Sequence, residues 1–334
     1  MIKIGVIGYG YWGPNVLRNF YSVHGAKVVA CCDGNSKRLE KVREIYPDIK
    51  TVTDYKLITR DPSIDAVAVV TPVFTHFDIA KDAIENGKHV FLEKPMTSTS
   101  AQANELVALA KKANKIIMVD HTFLFTGAVK KIKEILDKGE LGDLYFFDSV
   151  RINLGLFQHD INVVWDLAPH DLSVMNFLIS KKPVSVCAIG AAHINKKVED
   201  TAYLTINFED NLIAHFHLNW LSPVKIRKTL ISGSKKMLVW DDLSADEKIK
   251  IYDKGVDAET REGEYNLRMK YRSGDIWSPE VEGAEALKSE VAYFLDCISR
   301  NQVPFNDGQA GADVVRILEA SDESIKNGGR RVEL

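Results

Sequence analysis

The sequence predicts two domains: a doubly wound α/β domain on a parallel sheet, then an α+β domain on a mainly antiparallel sheet. Three observations carry this. Over the first 120 residues, short β-branched runs alternate with longer amphipathic segments. Two of those runs, "AVAVV" and "IIMV", are apolar at every position, as in parallel strands buried on both faces. After Asp120 the alternation gives way to closely spaced strand-like runs separated by tight turns.

In order, "IKIGVI", "KVVACC", "DAVAVV", "HVFL" and "IIMV" read as strands. The segments between them, "PNVLRNFYSV", "SKRLEKVREI", "HFDIAKDAIENG" and "AQANELVALAKKAN", repeat apolar residues at three and four and read as helices. Beyond the boundary, expected near Asp120 to Phe123, come a helix "GAVKKIKEILDKG" and the strand "DLYFFDSVRINL". "VSVCAIGAAHI", "TAYLTINF", "LIAHFHLNW" and "IRKTLISG" follow, with "EDN" as a hairpin signal between two of them. Two late helices, in "EALKSEVAYFLDCI" and "AGADVVRILEASDESIKNGG", close the chain. The domains are therefore placed at 1–121 and 122–334.

Length and composition agree with two domains of ordinary size. The chain has 334 residues, of which 46% are apolar and 27% charged. A net charge of −3 gives no basic footprint for nucleic acid, and no run has the length of a membrane span. "MIKIGVIGYGYWG" runs straight into a glycine-rich turn and lacks a cleavage signal, so a cytoplasmic protein is expected. Cys31, Cys32, Cys187 and Cys297 lack CxxC spacing and read as reduced thiols, with no metal site built on them.

Gly8, Gly10 and Gly13 form a G-x-G-x-x-G turn between strand and helix, around Tyr11 and Trp12. The first glycine permits the turn, the second lets backbone approach a pyrophosphate, and the third lets helix and strand pack closely. Pro14 suits the helix entry, whose free N–H groups face the phosphates. Asp33 ends the next strand twenty residues after Gly13, where a carboxylate accepts from the ribose hydroxyls of NAD. Lys37 and Arg38 follow and can accommodate a 2′-phosphate, so NADP stays open; equally they form the solvated start of a helix.

Three further segments join this fingerprint: "VVTPVFTHF" at the end of the strand "DAVAVV", "FLEKPM" at the end of "HVFL", and "DLAPH" in the second half. Together they resemble the Gfo/Idh/MocA family of sugar and inositol dehydrogenases, along essentially the whole chain. The resemblance implies a Rossmann domain followed by a large open-faced sheet. It also implies that Lys94 lies beside the nicotinamide and that Asp166 and His170 complete an acid–base site. A cis peptide at Lys94–Pro95 is implied as well. Thr71 and Pro72 would shape the loop after "DAVAVV", and Glu93 would hold its own loop. His76 reads equally as a cofactor contact or as the start of the next helix.

Oxidising a secondary alcohol requires a hydride acceptor and a base. His170 titrates in the right range, Asp166 can orient it, and Lys94 beside a cationic ring should have a lowered pKa. The competing reading of "DLAPH" makes Asp166 a helix cap with Pro169 in the first turn. His121, Arg151, Asn153 and Trp165 join Lys94 and His170 as expected substrate contacts. They lie around the polar, aromatic-rich segment "RINLGLFQHDINVVWDLAPHD". Arg151 suits a phosphate or carboxylate, and equally an interface. His215 and His217 share a strand face without a third ligand, which fits a subunit interface better than a metal.

"GYWGPNVLRNF" and "WLSPVKIRKTLISGSKKM" resemble the branch acting on nucleotide sugars, including UDP-N-acetylglucosaminuronate 3-dehydrogenases, in which C3 is oxidised. The expectation is an NAD-dependent oxidoreductase of a nucleotide-linked hexose or uronic acid, assembled as a homodimer or homotetramer. An inositol or free-sugar dehydrogenase and a non-catalytic NAD-binding sensor remain as alternatives.

Overall fold

The structure, a computed structural model, describes residues 1–155, 161–259 and 268–334. It divides into two compact units: 1–125 with 284–319, and 126–283 with 320–334. The expected second domain, 122–334, therefore lends an internal segment to the first unit. The packing gives the reason. In the described chain a late helix buries Leu287, Val291, Phe294 and Leu295 in the core formed by Val16, Leu17, Phe20 and Phe91. Phe20, Phe91 and Phe294 meet edge to face at centroid distances of 5.4, 6.2 and 5.7 Å.

The first unit runs β1 (Ile2–Ile7), α1 (Gly13–Ser22), β2 (Ala26–Cys32), α2 (Ser36–Ile45), β3 (Lys50–Val52), α3 (Lys56–Thr59) and β4 (Ala66–Val69). It continues with α4 (His76–Glu85), β5 (His89–Glu93), α5 (Ser100–Ala113) and β6 (Ile117–Asp120). Its strands lie in the order β3-β2-β1-β4-β5-β6, and every pair is parallel. The order reverses at β1, so the crevice outside the strand ends, where open α/β sheets bind ligands, opens beside the glycine turn. All four residues of β4 and of β6 are buried, as an all-apolar run requires.

The second unit comprises α6 (Gly127–Asp137), β7 (Leu144–Leu154), α7 (Val163–Leu178), β8 (Pro183–Ala191), β9 (Thr201–Phe208) and β10 (Ile213–Asn219). Next come β11 (Leu221–Gly233), β12 (Met237–Asp241), β13 (Ile249–Glu259) and β14 (Arg268–Trp277). After α8 (Ala286–Arg300) of the first unit, α9 (Gly308–Lys326) passes from the first unit into the second, and β15 (Val332–Glu333) ends the chain. The sheet order is β14-β13-β12-β11-β7-β10-β9-β8-β15, antiparallel except for β7 with β10. One face alternates into a core around Phe147, Phe216 and Leu218. No helix among the described residues is long and apolar enough to cross a membrane. All four cysteines are free, and burial pushes the Cys31 thiol up to about 12.

Candidate active site

The glycine turn fits a dinucleotide at each of its three positions. Gly8 has φ +101°, and a Cβ there would lie 2.3 Å from the Val70 carbonyl oxygen. A Cβ on Gly13 would lie 2.5 Å from the Gly8 carbonyl oxygen, so helix and turn pack at glycine distance. At Gly10 the nearest atom to such a Cβ is a guanidinium nitrogen of Arg38, 3.8 Å away, which leaves the backbone approachable. Tyr11 is exposed. Trp12 turns inward and donates from Nε1 to Asp120 at 3.0 Å.

Asp33 is buried and already holds the turn: Tyr9 N–H donates to Oδ2 at 2.7 Å and Asn35 N–H to Oδ1 at 2.8 Å. Arg38 approaches Oδ2 at 3.4 Å from a half-exposed position. A carboxylate has about four lone-pair sites, so it retains capacity for ribose hydroxyls. Asp33→Ala is expected to weaken NAD binding on the order of tenfold or more, the scale of a lost charge-assisted hydrogen bond. NADP, whose 2′-phosphate Arg38 can meet, should lose much less. Titration with both cofactors checks this, and equal losses would remove the case for NAD.

At the sheet's C-terminal edge, β5 and β6 bring two carboxyls side by side, for Glu93 and Asp120 are in register. Glu93 Oε2 accepts the Lys94 backbone N–H at 2.9 Å, and the Lys94–Pro95 peptide is cis. Asp120 also accepts from Thr122 Oγ1 at 2.5 Å. Glu290 of α8, wholly buried, completes the cluster and accepts from Asn306 Nδ2 at 3.1 Å. Burial, and then the charge of Asp120, pushes both Glu93 and Glu290 well above the usual carboxylate range.

A carboxyl whose folded pKa is raised gives stability that is fully present below its unfolded pKa, about 4.3 for Glu. That stability is lost as pH rises through the folded value. Glu290→Gln, which keeps an acceptor for Asn306 without the charge, should therefore lose less stability than wild type between about pH 5 and pH 8. Denaturant midpoints at the two pH values read this out; parallel losses would place the alkaline sensitivity elsewhere.

His121 follows Asp120 and is 1% exposed, with neither ring nitrogen hydrogen-bonded among the described residues. Burial, and then the charge of Lys94, pushes it down to about 3, so it is a neutral imidazole at working pH. His76 is likewise buried, between the Thr71 and Pro95 carbonyls. It starts α4 and lies between two loops. Thr71 also accepts from Thr75 Oγ1 at 2.7 Å, and Pro72 opens the short helical turn that follows.

In the second unit α7 starts four residues earlier than an Asp166 cap would place it. Asn162 is the cap, its side-chain oxygen accepting from Val164 and Trp165 N–H at 3.1 Å each. Pro169 is thus inside the helix rather than in its first turn. Asp166 is released from capping and accepts from Trp220 Nε1 at 3.0 Å. His170 follows one turn later on the same face, and both residues are half-buried. Trp165 donates from Nε1 to Asp322 at 2.9 Å.

Arg151 forms a buried ion pair. Both donors of its fork go to Asp171, at 2.8 and 2.7 Å, and the two side chains are 5% and 4% exposed. Burial opposes the guanidinium charge, and Asp171 outweighs it. Arg151 therefore anchors α7 to β7. Asn153, two residues on, is half-buried. Of the segment expected to line a sugar pocket, residues 156–160 lie outside the described residues. His215 and His217 stack on Tyr203 at centroid distances of 6.2 and 4.5 Å. Among the described residues no group of three or more His, Cys, Asp or Glu is placed to hold a metal ion.

Asp120, Glu290 and Asp171 were not legible as site residues, nor were the contacts of Trp12 with Asp120 and of Trp220 with Asp166. Each acts through a partner far away in sequence, and only the register of β5 with β6 could have hinted at Asp120.

Comparison with known proteins agrees with this geometry. A family model described as an oxidoreductase family with an NAD-binding Rossmann fold matches residues 2–121, and the GFO/IDH/MocA C-terminal domain matches residues 129–239. UDP-N-acetylglucosamine 3-dehydrogenase of Acidithiobacillus ferrooxidans is 25% identical over 318 residues, 94% of either chain. A solved structure of that enzyme superposes with a TM-score of 0.82 over 98% of both chains, at 23% identity. The NAD-dependent scyllo-inositol 2-dehydrogenase of Bacillus subtilis is 28% identical over 233 residues, 66% of this chain and 68% of its own. The chain belongs to the Gfo/Idh/MocA family of NAD-binding oxidoreductases that act on a CH–OH group.

Proposed function

We propose that this protein oxidises a secondary alcohol of a nucleotide-linked hexose or uronic acid at C3, with Lys94, Asp166 and His170 as its acid–base set. The carrying observation is the pairing of chemistries at Lys94. A cation on the turn after β5 neighbours a neutral, buried histidine whose ring nitrogens both lack partners among the described residues. Such a ring offers one donor and one acceptor, the pattern a sugar hydroxyl satisfies. The likeness to a UDP-sugar 3-dehydrogenase over 94% of the chain supports the substrate class.

The glycine turn and Asp33 hold NAD, and the bound nicotinamide supplies the hydride acceptor. Lys94 donates a hydrogen bond to the alcohol oxygen, and His170 takes the hydroxyl proton as the C–H bond gives up its hydride. Asp166, held by Trp220, stabilises the imidazolium that results. The carbinol becomes a ketone, and one proton is released per NADH formed. His121, Asn153 and Trp165 complete the sugar contacts in this reading.

The outward face of the second sheet, with Ile189, Tyr203 and Ile213 exposed, is the surface through which copies of the chain associate. Light scattering should give a dimer or tetramer; a monomer would refute the association.

The activity is tested by mixing near-stoichiometric protein and NAD with UDP- and dTDP-sugars, inositols and free hexoses while following nicotinamide absorbance. Reduction with nucleotide sugars alone is the expected result. Reduction with inositols alone would overturn the substrate class. No reduction at all, in protein shown to bind NAD, would overturn the dehydrogenase reading.

A further inference from the structure

Three acids of the first unit meet around Asp120. Glu93 stands beside it on β5, and Glu290 reaches it from α8. Asp120 is 1% exposed and engages both of its oxygens, Oδ2 with the Trp12 indole N–H at 3.0 Å and Oδ1 with the Thr122 hydroxyl at 2.5 Å. A carboxyl that receives a donor on each oxygen is suited to the ionised form, which accepts only.

Glu290 is arranged differently. Its Oε1 accepts from Asn306 Nδ2 at 3.1 Å, whereas its buried Oε2 meets no donor among the described residues. Asp120 and Thr122 are within hydrogen-bond reach of this carboxyl. Asp120 is an acceptor, and Thr122 directs its one hydroxyl proton to Asp120, so both offer lone pairs. An ionised Glu290 would meet Asp120 as a like charge and leave one buried oxygen unsatisfied, which is costly. A proton on Glu290 turns the same contact into a donated, charge-assisted bond. Burial favours that proton first, then the charges of Asp120 and Glu93, against a smaller pull from Thr122. Lys94 offsets Glu93, and His121 next to Asp120 is neutral.

We propose that Glu290 is a positioning residue of the cofactor site: as a neutral acid it donates to Asp120, and Asp120 in turn holds Trp12 at the entrance of α1. Trp12 is the N-cap residue of α1, inside the glycine turn whose free N–H groups face the phosphates. The Glu290 proton thus steadies the turn through two side-chain bonds, and it removes one negative charge from the cluster behind Trp12. This inference uses the NAD-binding turn alone, so the sugar reading and the role of Lys94 can fail without touching it.

The first test is the infrared spectrum of the full-length protein with 13C-labelled glutamate at about pH 8, where carboxyls of ordinary pKa, about 4, are ionised. A protonated-carboxyl C=O band that shifts with the label is expected, and Glu290→Gln should diminish it. Absence of the band, which the wild-type protein alone would reveal, would overturn the neutral acid. So would a band that Glu290→Gln leaves at full strength.

The positioning role is read from two variants. Glutamine reproduces both sides of a neutral acid, an acceptor for Asn306 and a donor for Asp120, so Glu290→Gln should keep NAD affinity within a few-fold. Glu290→Met fills the space without a donor and should weaken NAD on the order of tenfold. The Trp12 Nε1–H resonance, assigned by its loss in Trp12→Phe, should shift in the methionine variant and hold in the glutamine one. Equal loss of affinity in both variants would make Glu290 act as a carboxylate and overturn the proposal. Full affinity in Glu290→Met, or a Trp12 resonance unmoved there, would overturn the positioning role.

Discussion

Replacing Lys94 with alanine is expected to slow hydride transfer by roughly 10²- to 10⁴-fold, the range over which a placed proton-transfer group contributes. Cofactor affinity should stay within a few-fold. The glycine turn and Asp33 lie elsewhere on the sheet, and the Lys94 contact to Glu93 runs through the backbone N–H, which alanine keeps. The variant should also disturb its neighbour in a defined direction. The Lys94 charge is the second cause holding the His121 pKa down, after burial, so the His121 pKa should rise while staying below its ordinary value. Single-turnover absorbance and a fluorescence titration with NAD separate the two effects. Near-full turnover in the variant would remove Lys94 from the chemistry, and parallel loss of binding and rate would make it a cofactor anchor instead.

Arg151→Met is expected to destabilise the protein by about 3–5 kcal/mol, because it leaves the Asp171 carboxylate buried with its partner removed. The double variant Arg151→Met with Asp171→Leu should recover much of that loss, since well-packed apolar residues often replace a buried ion pair at little cost. Denaturant unfolding of the two singles and the double closes the cycle. A substrate-binding arginine behaves differently: its loss would raise KM at near-constant stability. That result would restore the role the sequence suggested for Arg151.

The first unit was legible because its strands are continuous apolar runs and its helices are periodic. The runs "IKIGVI", "KVVACC" and "HVFL" correspond to β1, β2 and β5, within a residue or two at their ends. The three-residue β3 and the four-residue α3 escaped, being too short to show any period. In the second unit β12, β13 and β14 went unread. "MLVWD" is short, and the two strands after it carry many charged residues that break any apolar alternation. The cofactor turn was readable, since its glycines answer to local backbone geometry. The Arg151–Asp171 pair and the Glu93–Asp120–Glu290 cluster were not. In both, a charge is defined by what stands across from it, and no local spacing records the partner.

The passage of residues 284–319 into the first unit has a consequence for how this protein is made. A ribosome finishes the Rossmann strands when little more than a third of the chain has emerged, yet Leu287, Val291 and Phe294 of their core are still to come. The first unit therefore closes only through contacts of very long sequence separation, which slow folding and leave apolar surface waiting. Phe20 and Phe91 must be kept from other partners in the meantime. An excised 1–121 fragment would retain that exposure permanently, so a transplanted cofactor module needs the 284–319 segment to travel with it.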